Sequence, residues 1–252
     1  MLEVCALASG SNGNCYYIGN EKDAVLIDAG ISCKQILKRM AEKDLNLQKI
    51  KAVFISHEHS DHIRGARVFE KKLKVPVYIT AKTYLATYKN MQPSYPRFFE
   101  PGTFVAVGEF HIHPFLKNHD ASEPCSFRVE YAGKNVGVFT DIGEPCENVI
   151  SQIALCDTVF LESNYDEEML RTGSYPYYLK QRVASSHGHL SNVQSLKLLE
   201  ENAGAHLKCV FLSHLSAENN TPEIAMATHQ SLADKFDVKL TSRYGPAEVF
   251  LL

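Results

Sequence analysis

With 252 residues, 45% of them hydrophobic, the chain is long enough to bury a sizeable core, and it reads as one domain over residues 1–252. Its 26 basic and 29 acidic residues leave a formal charge of −3, which excludes a global basic field; a polyanionic partner must be held by local patches or by bound metal. No apolar run approaches membrane-spanning length, so no membrane association is expected. Met1–Leu7 has an early acid, Glu3, and no basic region, so it does not read as a signal peptide; the expected compartment is the cytoplasm. The seven cysteines are odd in number, lack C-x-x-C spacing and lie mostly in strand-like runs, as reduced, buried thiols would.

In chain order, strands are predicted at Leu2–Leu7, Cys15–Ile18 and Ala24–Asp28, followed by a helix over Lys34–Lys43. The loop Ala8-Ser9-Gly10-Ser11-Asn12-Gly13-Asn14 has glycines that let the backbone curl and present N–H groups to a phosphate, with Ser11 and Asn12 as candidate contacts. A plain hairpin loop looks much the same. Next come a strand ending in Ala52-Val53-Phe54-Ile55, a helix Ile63–Leu73 opened by Asp61 and His62, a strand Val75–Thr80 and a helix Lys82–Lys89. Three or four strands fall between Thr103 and Thr140, including His111–Leu116 and Val136–Thr140, with Ala132-Gly133-Lys134-Asn135 as a hairpin turn. Helices near Glu147–Leu155, Ser191–Asn202 and Pro222–Ala233 then alternate with strands Thr158–Glu162, Cys209–Leu212, Val238–Thr241 and Glu248–Leu252. The pattern is α/β, compatible with an αββα sandwich, although periodicity alone does not separate that from other α/β folds.

The chemistry concentrates in Ser56-His57-Glu58-His59-Ser60-Asp61-His62, three imidazoles and a carboxylate just after an apolar strand. Histidine and aspartate without cysteine is the ligand mix of a hydrolytic Zn or Mn site, not of a structural zinc. His57 and His59, two apart on extended backbone, point to one side and can share an ion. Asp61 and His62, turned away at the start of a helix, can hold a second. Paired ions of this kind clamp a water-derived nucleophile and a leaving oxygen.

H-E-H-S-D-H resembles the H-x-H-x-D-H pattern of metallo-β-lactamase-fold hydrolases. The resemblance implies an αββα sandwich, two mixed sheets with outer helices and two divalent ions at one sheet edge. It also implies a third histidine, a bridging aspartate and a last histidine from further along. His119, Asp141 and His214, each just after a predicted strand, are the candidates. His111 and His113 alternate as strand residues do. Within such hydrolases, nucleases of the RNase J and cleavage-factor type carry an acid after one strand and a Gly-His-x-Ser element before a helix. Glu162 and His189 match those positions, without the large domain such nucleases insert between them. A carboxylate on one ring nitrogen would leave the other to protonate a leaving alkoxide. Ser191-Asn192-Val193-Gln194 reads as a capping box, and the helix start it opens could also take a phosphate through Ser191 and Asn192. In Arg171–Arg182, three tyrosines interleave with three cations, as in a nucleic-acid groove or on the solvated face of an amphipathic helix; Lys180 and Arg182 are the candidate phosphate contacts.

Taken together, the chain resembles the compact exonucleases of the WalJ or YycJ family. The likeness rests on the Ser-Gly-Ser-Asn-Gly-Asn loop, His57–His62, His119-Asp120-Ala121, Thr140-Asp141, Glu162–Asp166, Tyr175-Pro176 with Leu179-Lys180, Gly188–Asn192, and Leu212–Ser216 with Asn219-Asn220. It implies a cytoplasmic 5′→3′ exonuclease acting on DNA rather than RNA and linked to repair. His57, His59 and His119 would hold one ion, Asp61, His62 and His214 the other, with Asp141 bridging. A metal-bridging hydroxide would be the nucleophile, Asp61, His189 and Glu162 would be the catalytic set, and Asn164 would touch substrate. Tyr165 departs from the family stretch, where a histidine is expected. The competing readings are a phosphodiesterase for small cyclic phosphates, a thioester hydrolase of the glyoxalase type and a non-catalytic regulatory protein.

Overall fold

A computed structural model describes residues 1–252. Two seven-stranded sheets lie face to face. The first is built from β1 (Glu3–Ala8), β2 (Cys15–Gly19), β3 (Ala24–Ile27), β4 (Ile50–Phe54), β5 (Val77–Ile79) and β6 (Pro96–Phe98), side by side in that order. The second runs from β7 (Val105–Val107) through β8 (Phe110–Leu116), β9 (Cys125–Tyr131), β10 (Lys134–Phe139), β11 (Thr158–Glu162) and β12 (Cys209–Ser213) to β13 (Asp237–Leu240). The C-terminal β14 (Phe250–Leu251) returns to the first sheet and pairs with β1. Both sheets are mixed: hairpins supply the antiparallel half of each, and β3 to β6 and β10 to β13 run parallel.

Strand residues are buried on both faces, which explains why the central strands read as unbroken apolar runs rather than alternating ones. In β1, Val4 and Ala6 face the second sheet, while Cys5 and Leu7 face the helices α1 (Cys33–Ala41) and α3 (Ala66–Leu73) through Ile36, Met40 and Phe69. Val4 and Ala6 join a core between the sheets that includes Tyr16, Phe54, Phe110, Phe127, Phe160 and Phe211. On the far side, Phe139, Leu161 and Leu212 pack under α5 (Glu147–Ile153), α8 (Asn192–Asn202) and α9 (Pro222–Thr228). The result is the αββα sandwich expected from the sequence. No helix is long and apolar enough to cross a membrane. All seven thiols are free, and Cys146 alone is not fully buried.

Several local expectations change. The single helix Ile63–Leu73 is in fact two, α2 (Ser60–Ile63) and α3, with Asp61 and His62 inside the first. The break is imposed from outside: Gly65 N–H donates to Ala29 O (2.8 Å) and the Arg64 side chain donates to Gly30 O, so this backbone pairs with the loop after β3 instead of continuing its own ladder. Residues 222–233 likewise split into α9 and a short 3₁₀ turn, Gln230–Leu232. The turn after β9 is only Ala132-Gly133, both at positive φ; Lys134 and Asn135 already belong to β10. The Arg171–Arg182 segment is not one helix. It spans the end of α6 (Glu167–Thr172), a bend, and most of α7 (Tyr177–Val183).

Candidate metal centre and proton-donor site

The candidate residues converge where the C-terminal ends of the parallel strands of both sheets meet, as ligand sites in α/β sheets do. His57 and His59 follow β4, Asp141 follows β10, Glu162 ends β11 and His214 follows β12. Four sets of metal-ligand atoms gather within reach of one another: His57, His59 and His119; His57, His62 and Asp141; Asp61, His62 and His214; and Asp141 with Glu162, His189 and His214. All seven ligand candidates read from the sequence therefore sit in one constellation.

Hydrogen bonds fix how the rings face. His62 Nδ1 donates to Asp28 Oδ2 (2.6 Å), His119 Nδ1 to Gly188 O (3.0 Å) and His214 Nδ1 to Glu162 Oε1 (3.1 Å). Ser56 Oγ donates to Asp28 Oδ2 (2.9 Å) and accepts from His57 Nδ1 (2.8 Å). In its neutral form each of these histidines thus keeps its proton on Nδ1 and turns a bare Nε2 inward, the tautomer a metal ligand needs. His57 Nε2 and His59 Nδ1 stand 3.1 Å apart, with His119 Nε2 3.4 Å from His59. Ring nitrogens converging like this could share a cation. Asp141 Oδ2 and His214 Nε2 are buried with no hydrogen-bond partner at all. A nitrogen-and-oxygen donor set with orphaned ligand atoms fits a divalent ion such as zinc or manganese.

The charges divide the rings. Burial pushes the His57 ring well below its ordinary pKa and His119 down to about 3, keeping both neutral. Burial acts in the same direction on His214, but Asp141, Asp61 and Glu162 outweigh it and lift the ring to about 10. Asp141 is held well below the carboxylate range: burial raises it, and His214, His62 and Lys117 more than reverse that.

Glu162 is fully buried and accepts four times: from His189 Nδ1 (2.7 Å) and His214 Nδ1 on Oε1, and from the N–H groups of Ile142 (2.6 Å) and Leu190 (3.3 Å) on Oε2. Burial raises its carboxyl, but the two histidines hold it at about 2. One carboxylate therefore orients both the putting-forward of His189 and the seating of His214. His189 lines a cavity of about 160 Å³ at the mouth of the site, together with Ser11, Asn164 and Arg182.

The remaining candidates divide. Asn164 Nδ2 donates to His214 O (2.7 Å), so it holds that loop as well as lining the mouth. Ser11 is exposed at the mouth, whereas Asn12 gives its carbonyl to Arg64. Arg182 donates to Asp120 Oδ2 (2.6 Å) and lines both the His189 cavity and a second one beside His59 and Asp61. Lys180 is on another side of α7, its Nζ donating to Arg171 O (2.8 Å), so it does not share Arg182's cleft. Ser191 and Asn192 are buried. Ser191 caps α8 in the expected capping box, and Asn192 is tied to Ser163 and Asn220. The phosphate contact expected of these two residues has no open atom to make it.

Sequence reasoning missed four supporting residues. Asp28 and Ser56 orient His62 and His57; Asn14 Nδ2 reaches His62 Nε2 (3.1 Å) while Asn14 N donates to Asp61 O; and buried Lys117 donates to Thr140 O (2.6 Å) just ahead of Asp141. One signal was available: Asp28-Ala29-Gly30 repeats, after a strand, the Asp-x-Gly of Asp141-Ile142-Gly143. The glycine loop proves to be a brace, with Ser9 Oγ accepting from His214 N (2.8 Å).

A model of the Metallo-beta-lactamase superfamily matches residues 8–214. The exodeoxyribonuclease WalJ of Streptococcus pneumoniae is 36% identical over 227 residues, covering 88% of this chain and 84% of that one. The exodeoxyribonuclease YycJ of Bacillus anthracis is 33% identical over 238 residues, covering 93% and 90%. In fold, the crystal structure of the metallo-beta-lactamase fold protein YhfI from Bacillus subtilis matches with a TM-score of 0.73 at 18% identity, over 98% of this chain and 100% of that one. The chain belongs to the metallo-β-lactamase superfamily and, within it, to the family of the WalJ and YycJ proteins.

Proposed function

We propose that this one-domain protein is a two-metal exodeoxyribonuclease that degrades DNA from the 5′ end, in the cytoplasm and in the service of repair. The observation that carries the reading is the hydrogen bond from His189 to buried Glu162 (2.7 Å), set directly against the ligand constellation. A thioester hydrolase has no strongly basic leaving group and no use for that pair; a phosphodiesterase has. The names of the two relatives, both exodeoxyribonucleases, support DNA as the substrate class.

In this reading His57, His59 and His119 would hold one ion and Asp61, His62 and His214 the other, with Asp141 a ligand open to both. Two divalent ions, zinc or manganese, would supply an acidified water and neutralise charge building on the phosphoryl oxygens. The chain does the rest. Glu162 fixes the His189 ring so that Nε2 faces the mouth and delivers a proton to the departing sugar oxygen. Arg182, between the two mouth cavities, meets the phosphate backbone, and Ser11 and Asn164 border its path. The test is digestion of 5′- and 3′-end-labelled DNA and RNA, single- and double-stranded, in Mn and in Zn. Stepwise shortening of DNA from the 5′ end is expected. Faster turnover of a cyclic phosphate than of any polynucleotide would overturn the reading.

A further inference from the structure

Helix α7 separates two cavities. One side, through Leu179, Arg182 and Val183, borders the mouth beside His189. Another, through Tyr177, Lys180, Gln181 and Ala184, borders a larger cavity of about 550 Å³ that no step of the proposed reaction uses. Tyr165 and Leu170, both buried, also line it, and Arg171 and Lys180 stand among its lining residues. Tyr177 is 74% exposed, yet its hydroxyl accepts from Gln181 Nε2 (2.9 Å), so the ring is positioned rather than loose. The two cavities are contiguous in the chain: Asn164 lines the mouth and Tyr165 the larger space. They are also mechanically joined, because Val183 O, at the end of α7, accepts from His189 N (2.9 Å).

We propose that this cavity is a nucleobase site: a polynucleotide whose scissile phosphate lies at the metal centre places one of its bases against Tyr177, with a phosphate near Lys180. The inference rests on the nuclease reading and adds to it a stacking contact that only a polymer can make. Three features select this occupant. Tyr177 offers an open π-face, which stacks on any base regardless of sequence, and buried Tyr165 forms part of the wall. Lys180 has no carboxylate partner and is the cation left to a phosphate, whereas Arg171 is paired with Glu168 (2.6 Å) and Glu167 also lines the space. The cavity also lies across α7 from the mouth, on the helix whose Val183 O accepts from His189 N.

The experiment pairs a missing base with a missing ring. Single-stranded DNA oligonucleotides carry one abasic position, moved stepwise through the first several nucleotides from the 5′ end, and KM is measured for wild type, Tyr177→Ala and Tyr177→Phe. At one position the abasic substrate should raise the wild-type KM roughly 5- to 100-fold, the range for loss of one base–aromatic stack. Tyr177→Ala should show the raised KM on intact DNA and no further penalty at that position; Tyr177→Phe should keep the discrimination. If no position is singled out, or Tyr177→Ala is penalised by the abasic position as strongly as wild type, the nucleobase site is refuted while the nuclease reading stands. If wild type digests none of the oligonucleotides, both fall.

Discussion

In the first sheet β3 ends at Ile27 and Asp28 turns the chain with φ +61°; in the second β10 ends at Phe139 and Asp141 does so with φ +55°. Each aspartate is followed two residues later by a glycine with no room for a side chain. A Cβ on Gly30 would strike the Asp61 carbonyl, and one on Gly143 the Ser186 carbonyl. Each Asp-x-Gly therefore admits a neighbouring loop at backbone distance: Asp61-His62 in one case, Ser186 to His189 in the other. His214, after β12, repeats the left-handed turn at φ +57°. Such conformations are costly for side-chain-bearing residues and persist where the surroundings over-determine them. From there the two edges diverge. Both Asp28 oxygens are taken, Oδ1 by Ser56 N (2.8 Å) and Oδ2 by His62 Nδ1 (2.6 Å) and Ser56 Oγ, because the His62 ring stands between it and the site. Asp141 instead meets the other edge of that ring: its Oδ2 lies 3.2 Å from His62 Nε2 and accepts no hydrogen bond. The same backbone device yields a brace at one edge and an open carboxylate at the other, and what separates them is which nitrogen of His62 each one meets.

That contrast can be broken most forcefully at Asp141. Asp141→Ala should bring activity to background and lower the bound metal of the purified protein, with circular dichroism unchanged because the sandwich core is untouched. Retention of a full metal complement and normal turnover would mean that the open carboxylate is not a ligand.

The next largest effect lies on the second edge. His189→Ala should keep its metal and lose roughly 10²- to 10⁴-fold in rate, the range for general acid catalysis. The loss should shrink on bis(p-nitrophenyl) phosphate, whose leaving group needs little protonation. Glu162→Gln should differ in kind, because Glu162 also seats His214: metal affinity should fall alongside the rate. An equal His189→Ala loss on good and poor leaving groups would remove the proton-donor role.

Asp28→Asn should have the smallest effect of the series. The amide still fills the space but can no longer accept from both His62 and Ser56, and loss of such an orienting partner costs about 10- to 100-fold in metal affinity or activity. An Asp28→Asn defect as complete as that of Asp141→Ala, with metal lost, would erase the distinction between brace and ligand.

Some of this was legible in the residues alone. His57 and His59 converge because extended backbone returns side chains to one side every second residue, and Ser191 caps α8 because a hydroxyl three residues before Gln194 can reach its N–H; both follow from local geometry. Strand ends marked Asp141 and Glu162, since an apolar run that stops at a carboxylate locates the edge of a core. Other features depend on partners far away in the chain. The helix after His62 breaks at Gly65 because Ala29 O competes for its N–H, 36 residues upstream. Asn192 is buried because Ser163 and Asn220 close over it, and Lys180 is parted from Arg182 because α7 turns its faces into different cavities. Asp28 and Asp141 share one sequence signature, so composition and spacing could not tell them apart. What tells them apart is that the packed sheets turn His62 Nδ1 to Asp28 and Nε2 to Asp141, since a hydrogen bond acts over about 3 Å and only the assembled fold brings those atoms within it.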